Sequence, residues 1–129
     1  MSGEFSVEID RPRNLLRVRM WGFYAIEDVA RYHAAIDAAS EELGGAPSRQ
    51  RMLNDISGMQ IQSQDVVAAF QNVMSDPKYR ARRVAFVVAS SLARMQLLRV
   101  IGSRRAELFT REVEALAWLG SATGAASAA

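Results

Sequence analysis

The stretch RVAFVVA, residues 83–89, is the strongest indication of the fold, and SSLARMQLLRVI, residues 90–101, follows it directly. Six consecutive apolar residues, three of them valine, are typical of a strand that is buried on both faces. Ser90 or Ser91 can cap a helix, because a hydroxyl there accepts an amide hydrogen from the first turn. A doubly buried strand that leads straight into a helix predicts an α/β protein with a parallel sheet.

Two segments near the N-terminus alternate between apolar and polar residues. FSVEID, residues 5–10, and LLRVRMW, residues 15–21, have the period of two that a half-buried strand shows. Between them, RPRN has the composition of a turn, with Pro12 fixing one backbone angle. The pattern predicts an antiparallel hairpin whose second strand ends at Gly22.

Strands and helices alternate along the rest of the chain. A helical period runs from Ile26 to Leu43, and Gly44 and Gly45 end it. The remaining elements are a strand at RMLNDI, a helix that Ser63 caps and Pro77 stops, the 83–101 unit, a strand at RAELF, and a helix from Thr110 to Leu119. The order predicts an α/β domain with a mixed, largely parallel sheet of about five strands and about four helices.

Length and composition bound the kind of protein. We expect one domain over residues 1–119, and a disordered tail over 120–129 because GSATGAASAA has almost nothing to bury. The start MSGEFSVEID has neither the basic region nor the apolar core of a secretory signal, so we expect a cytoplasmic protein. With no cysteine and one histidine, the chain excludes disulfides and a multi-histidine metal site, and we expect no metal and no cofactor.

Four segments in this order resemble the SpoIIAA-like family, a branch of the STAS-like domains. They are MWGFYAIEDVARYHAAI (20–36), LNDISGMQIQSQDVVAAF (53–70), RRVAFVVASSLARMQLLRV (82–100) and FTREVEALAWL (109–119). The resemblance implies a small binding domain that is not an enzyme and that forms homodimers. Because that branch is also similar to Sec14-type lipid-binding domains, it implies an apolar or amphipathic ligand, or a membrane surface.

The resemblance also implies an alternative, a regulatory protein-interaction domain of the STAS type. Asp55, Ile56 and Ser57 match the start of the anti-sigma-antagonist motif. The position of the phosphorylated serine in that motif holds Asp65 here, and the glycine that follows it is missing. A carboxylate cannot serve as a phosphoserine switch, so the alternative keeps the 57–65 loop only as a contact surface.

The polar loop after the third strand is a candidate binding site. Ser57, Gln62, Ser63 and Asp65 lie where open α/β sheets bind ligands, at the carboxyl end of a strand and the start of a helix. Trp21, which follows the hairpin, could roof an apolar pocket. The alternatives are an ordinary loop with a serine cap and a tryptophan at the edge of the core.

The helix predicted over 90–101 has two apolar faces. One face, formed by Ala93, Leu97, Val100 and Ile101, must cover the sheet. The other, formed by Leu92, Met95 and Leu98, needs a neighbour, and we predict that Met95 and Leu98 contact the ligand. Four nearby arginines suit an anionic lipid surface, which would place the protein at the inner face of the membrane: Arg94, Arg99, Arg104 and Arg105. The alternative is packing inside the domain.

Charge and side-chain chemistry exclude other classes of function. Residues 78–111 carry nine basic and one acidic group, but KYRARR has one aromatic residue and no nucleic-acid motif accompanies it. A serine nucleophile needs a base, and His33 lies on a different helix from Ser63. The sequence therefore argues against a nucleic-acid partner and against an enzyme, and it predicts that His33 pairs with Asp37 one turn on.

Overall fold

The computed structural model describes residues 3–101 and 106–128, with side chains for all of them except 81, 101 and 122–128. The strands are β1 (Glu4–Asp10), β2 (Leu15–Gly22), β3 (Arg51–Met59), β4 (Arg83–Val87) and β5 (Ala106–Phe109). The helices are α1 (Ile26–Leu43), α2 (Gln64–Met74), α3 (Pro77–Ala81), α4 (Ser91–Ile101) and α5 (Glu112–Ala128). A 3-10 turn, Pro47–Arg49, precedes β3.

The five strands form one sheet in the order in which they occur along the chain. β1 and β2 pair antiparallel, with Val7 opposite Val18, and every later pair is parallel. The predicted hairpin and the predicted mixed, largely parallel sheet are therefore confirmed. Crossovers between parallel strands are right-handed. Because each crossover here leads to the next strand in the same direction along the sheet, the crossover helices all lie on one face.

Two cores lie on opposite faces of the sheet. On one face, α1, α2 and α4 pack on inward-facing residues of β3 and β4, including Met52 and Phe86. On the other, α5 covers Leu53 and Ala85 through Ala115 and other apolar residues. β4 has side chains in both cores, which is why its sequence is continuously apolar.

Most predicted helix boundaries agree with the structure. The Ser63 hydroxyl accepts the Val66 amide hydrogen at 3.3 Å, and the Ser90 hydroxyl accepts that of Ala93 at 3.1 Å, so both serines cap helices as predicted. Gly44 follows α1 with a φ of 82°, which a residue with a side chain rarely adopts.

Three predicted helix features differ from the structure. Pro77 does stop α2, but it also begins the short helix α3, because proline fits the first helical position. α5 begins at Glu112, two residues after Thr110, which therefore does not hold the cap position. The helix also continues through Ala128, beyond the predicted end at Leu119. The domain boundary at residue 119 stays a prediction.

Candidate ligand-binding pocket

A cavity of about 60 Å³ lies between the sheet, α2 and α4. It sits beside the carboxyl halves of β3 and β4, where Ile56, Met59 and Phe86 face it, and Asn54 lines it from the middle of β3. Apolar side chains form most of its wall: Met20, Ile56, Met59, Val67, Phe70, Met74, Phe86, Ala93, Leu97 and Val100. The space therefore favours an apolar occupant.

A buried polar network forms part of the wall on the sheet side. The hydroxyls of Tyr32 and Tyr79 lie 2.5 Å apart in a hydrogen bond. Asn54 Nδ2 donates to the Tyr79 hydroxyl at 2.8 Å and to the Tyr32 hydroxyl at 3.2 Å. Burial raises the pKa of Tyr32 well above its ordinary value, so its phenol stays neutral.

Gln96 fastens α4 to the loop that precedes α2. The backbone N–H of Gln62 donates to Gln96 Oε1 at 2.9 Å, and Gln96 Nε2 donates back to the backbone carbonyl of Gln62 at 2.9 Å. A second bond, from Gln71 Nε2 to the Arg99 carbonyl at 3.0 Å, ties α2 to the end of α4. These bonds hold α4 over the cavity.

Gln62 lines the cavity, but its side-chain amide serves the fold. Its Oε1 accepts the Tyr24 amide hydrogen at 2.7 Å. Its Nε2 donates to the carbonyls of Gly22 at 3.0 Å and Gln60 at 2.5 Å. The predicted ligand residue thus joins the end of β2 to the loop after β3, and its role in binding stays a prediction.

The other predicted loop residues lie outside the cavity wall. The Ser57 hydroxyl donates to Asp55 Oδ1 at 2.6 Å, and the Ser63 hydroxyl caps α2. Asp65 is exposed in the first turn of α2, where the helix dipole favours a carboxylate. Trp21 is half-buried and follows Met20, the β2 residue that does line the cavity. The structure therefore does not bring these residues together with Gln62 around one space.

Helix α4 has two apolar faces, as predicted. Ala93, Leu97 and Val100 of the first predicted face line the cavity together with Gln96, and these four residues are here called the inner face. The side chain of Ile101, the fourth residue of that predicted face, lies outside the described residues. Leu92, Met95 and Leu98, the outer face, are 67%, 56% and 48% exposed, so Met95 and Leu98 point away from the cavity. Arg94 and Arg99 are exposed beside the outer face, whereas Arg104 and Arg105 lie outside the described residues.

Three polar residues of the cavity wall were not predicted from the sequence: Tyr32, Asn54 and Gln96. Asn54 left a signal: it occupies an inward position of β3 between Met52 and Ile56, where alternation calls for an apolar residue. A buried polar residue in such a position needs hydrogen-bond partners, and that requirement marks it as a position to examine.

A second polar cluster joins α1 to α3. His33 Nε2 lies 3.1 Å from Asp76 Oδ2 and 3.7 Å from Asp37 Oδ2, which confirms the predicted pairing of His33 with Asp37. The three side chains offer ligand atoms within 4.8 Å of one another, a spacing that could hold a metal ion. The ammonium of Lys78, 3.8 Å from Asp37 Oδ1, already supplies positive charge there. We assign the cluster a structural role.

None of the helices in the described part of the chain is long and apolar enough to cross a bilayer.

The sheet order, the single antiparallel pair and the division of helices between two faces define a mixed-sheet α/β domain. No family model matches the sequence, and no curated protein matches it. Among solved structures, the chain is similar to an uncharacterized protein from the DUF3478 family with a SpoIIAA-like fold, from Shewanella loihica PV-4. The TM-score is 0.69 over 91% of this chain and 94% of that one, at 16% identity. The protein has a SpoIIAA-like fold, as the sequence resemblance implied.

Proposed function

We propose that the protein is a binding module whose cavity between α2 and α4 takes a small apolar or amphipathic molecule. The observation that carries the proposal is the apolar wall of this cavity, beside the carboxyl halves of parallel strands. Open α/β sheets bind ligands at that edge, and ligand pockets are mostly apolar with a few polar groups that fix orientation.

The size of the cavity limits the ligand. About 60 Å³ is well below the roughly 300–1,000 Å³ of pockets that hold drug-sized molecules. Met20, Met59 and Met74 make part of the wall adaptable, because unbranched thioether side chains change shape readily. α4 also packs against the domain through few buried side chains, since Leu97 is the one buried side chain among those described in this helix, so a small shift of the helix breaks few apolar contacts. A small ligand would fit with modest movement of these groups.

Filling the cavity should abolish stabilisation by an apolar probe. At a toluene concentration ten times its Kd, the wild-type protein gains about 1.4 kcal/mol, which raises Tm by about 5 °C in a domain of this size. Ala93→Leu places three more carbon atoms on the inner face of α4, so we expect its Tm to respond to toluene by less than about 1 °C. Differential scanning calorimetry with and without toluene measures both shifts.

Leu92→Ala is the matched control, because Leu92 lies on the outer face of the same helix. Its toluene response should equal that of the wild type. A wild-type Tm that toluene does not raise, or a full response in Ala93→Leu, would contradict the proposed site.

We propose as a second function that the outer face of α4 contacts an anionic membrane surface. Its three apolar side chains are exposed, and Arg94 and Arg99 flank them. An amphipathic helix lies on a bilayer with its apolar side down, and each nearby arginine adds about 1 kcal/mol of attraction to anionic lipids.

Leu98→Asp should weaken binding to phosphatidylserine–phosphatidylcholine vesicles by at least about tenfold. The change removes apolar burial of about 1.5–3 kcal/mol and adds a repelled charge. Val113→Asp is the control, because Val113 is 60% exposed on α5 and its substitution makes the same change in net charge. Co-sedimentation with vesicles measures both. Equal losses in the two variants, or no binding by the wild type, would exclude this surface.

The regulatory alternative and the homodimer stay predictions. In the 57–65 loop, the hydroxyl of Ser57 is bonded to Asp55 and that of Ser63 caps α2, so neither stands out as a contact for a partner.

A further inference from the structure

We infer that the ligand of the α2–α4 cavity is a small alcohol or phenol, that is, a neutral molecule with an apolar body and one hydrogen-bond donor. The hydroxyl group of this ligand donates its hydrogen bond to Asn54 Oδ1. The inference rests on the proposed function of the cavity and adds the chemical class of its ligand.

Asn54 combines burial with an acceptor that lacks a good donor. The residue is fully buried in β3 and lines the cavity. Both of its amide hydrogens are used, since Nδ2 donates to the hydroxyls of Tyr79 and Tyr32. Oδ1 has only a 3.5 Å contact with the Tyr32 hydroxyl among the described residues. That distance exceeds the 2.5–3.0 Å of an ordinary O–H···O bond.

On folding, a buried carbonyl oxygen loses its hydrogen bond to water, and without a close donor it forms no comparable hydrogen bond within the protein. A hydroxyl group brought into the cavity would restore that bond. An apolar molecule of the same shape would leave Oδ1 as it is. The carboxamide therefore gives the cavity a preference for a ligand that carries a donor.

The absence of charged side chains from the described wall of the cavity favours a neutral ligand. None of the described lining residues is an arginine, lysine, histidine, aspartate or glutamate. The one ionisable group in the wall, the phenol of Tyr32, is kept neutral by burial. An ion in this space would lose its hydration without gaining an opposite charge, so the cavity selects against carboxylates and ammonium groups.

Phenol and toluene test the inference, because they differ by a hydroxyl in place of a methyl group. The quantity to measure is the ratio of their affinities, by calorimetry, in the wild type and in Asn54→Leu. We expect the substitution to lower the phenol-to-toluene ratio by about tenfold, since it removes the acceptor and leaves the apolar wall. In the wild type, the Asn54 side-chain amide signals in ¹⁵N NMR should shift more with phenol than with toluene, because both rings perturb a residue of the cavity wall and only phenol donates a hydrogen bond to Oδ1.

The outcomes separate the two proposals. An unchanged ratio in a folded Asn54→Leu variant, or equal responses of the Asn54 amide to both probes, overturns the inference and leaves the apolar cavity as a binding site. Failure of both probes to bind the wild type overturns the proposed function, and the inference with it. Should Asn54→Leu not fold, the wild-type NMR comparison decides by itself.

Discussion

Gln62→Met is expected to lower the free energy of unfolding by about 3 kcal/mol. The substitution keeps the length of an unbranched side chain and removes its amide. Without that amide, the Tyr24 N–H loses its acceptor at 2.7 Å, and the Gly22 carbonyl loses a donor at 3.0 Å but keeps the Gln60 N–H at 3.1 Å. A buried N–H left without a partner costs about 1–3 kcal/mol and a lost hydrogen bond adds about 0.5–1.5 kcal/mol, and water cannot replace the amide because Gln62 is 8% exposed.

Urea denaturation of Gln62→Met and of Gln64→Met tests this role. Gln64 is exposed in the first turn of α2, so its substitution should change stability by less than about 0.5 kcal/mol. If Gln62→Met unfolds at the wild-type urea concentration, the Gln62 amide is not a structural bridge. That result would restore it as a free ligand group, as the sequence analysis predicted.

Gln50→Met is expected to lower the free energy of unfolding by about 3–5 kcal/mol. Gln50 Oε1 accepts from the Arg82 guanidinium Nε at 3.2 Å and from the Ser40 hydroxyl at 2.6 Å. Its Nε2 donates to the carbonyls of Ser40 at 3.0 Å and Gly44 at 3.1 Å. The substitution would leave a buried guanidinium without its side-chain acceptor.

Arg82 itself should be replaceable at little cost. It is 1% exposed, burial lowers its pKa, and Nη2 has no hydrogen-bond partner among the described residues. The Tyr79 ring, 5.5 Å from the guanidinium carbon, offers partial compensation. Replacing a buried ion pair by apolar side chains of similar volume is often neutral or stabilising by about 1–4 kcal/mol. Arg82 has no ion pair among the described residues, so its removal leaves no buried carboxylate unpaired, and we expect Arg82→Met to fall in that range.

A double-mutant cycle separates the contributions of these two residues. If Gln50→Met destabilises the protein because it leaves the Arg82 charge buried without an acceptor, it should lower the free energy of unfolding less in the Arg82→Met background than in the wild type, by at least about 1.5 kcal/mol. Equal costs in both backgrounds would assign the effect to the Ser40 and Gly44 bonds alone. Urea denaturation of the four proteins gives the coupling free energy.

Local patterns along the chain were enough to predict the sheet and most of the helices. Alternation in residues 5–10 and 15–21 marked the hairpin, and the apolar run at 83–89 marked the strand covered on both faces. These signals are strong because burial acts on every residue of such an element. The sequence did not predict α3, because five residues are too few to show a helical period and Pro77 alone indicates only the end of α2.

The candidate site was less predictable, because its polar residues act through partners that are distant in sequence. Gln62 was correctly placed at the strand-to-helix loop, but its bonds to Gly22 and Tyr24 depend on how β2 lies beside β3. Asn54 likewise meets Tyr32 and Tyr79 only in the folded chain. Periodicity predicts which face of an element is buried, and it carries no information about which polar atoms meet there.

The most direct test of the central claim is a toluene titration of the protein with ¹³C-labelled methionine methyl groups, followed by NMR. Met20, Met59 and Met74 line the cavity, whereas Met95 is exposed on the outer face of α4 and serves as the internal control. If toluene binds in the cavity, the three lining methyl signals shift saturably and the Met95 signal stays constant. Toluene that shifts the Met95 signal and leaves the lining methyl signals unmoved would contradict the central claim.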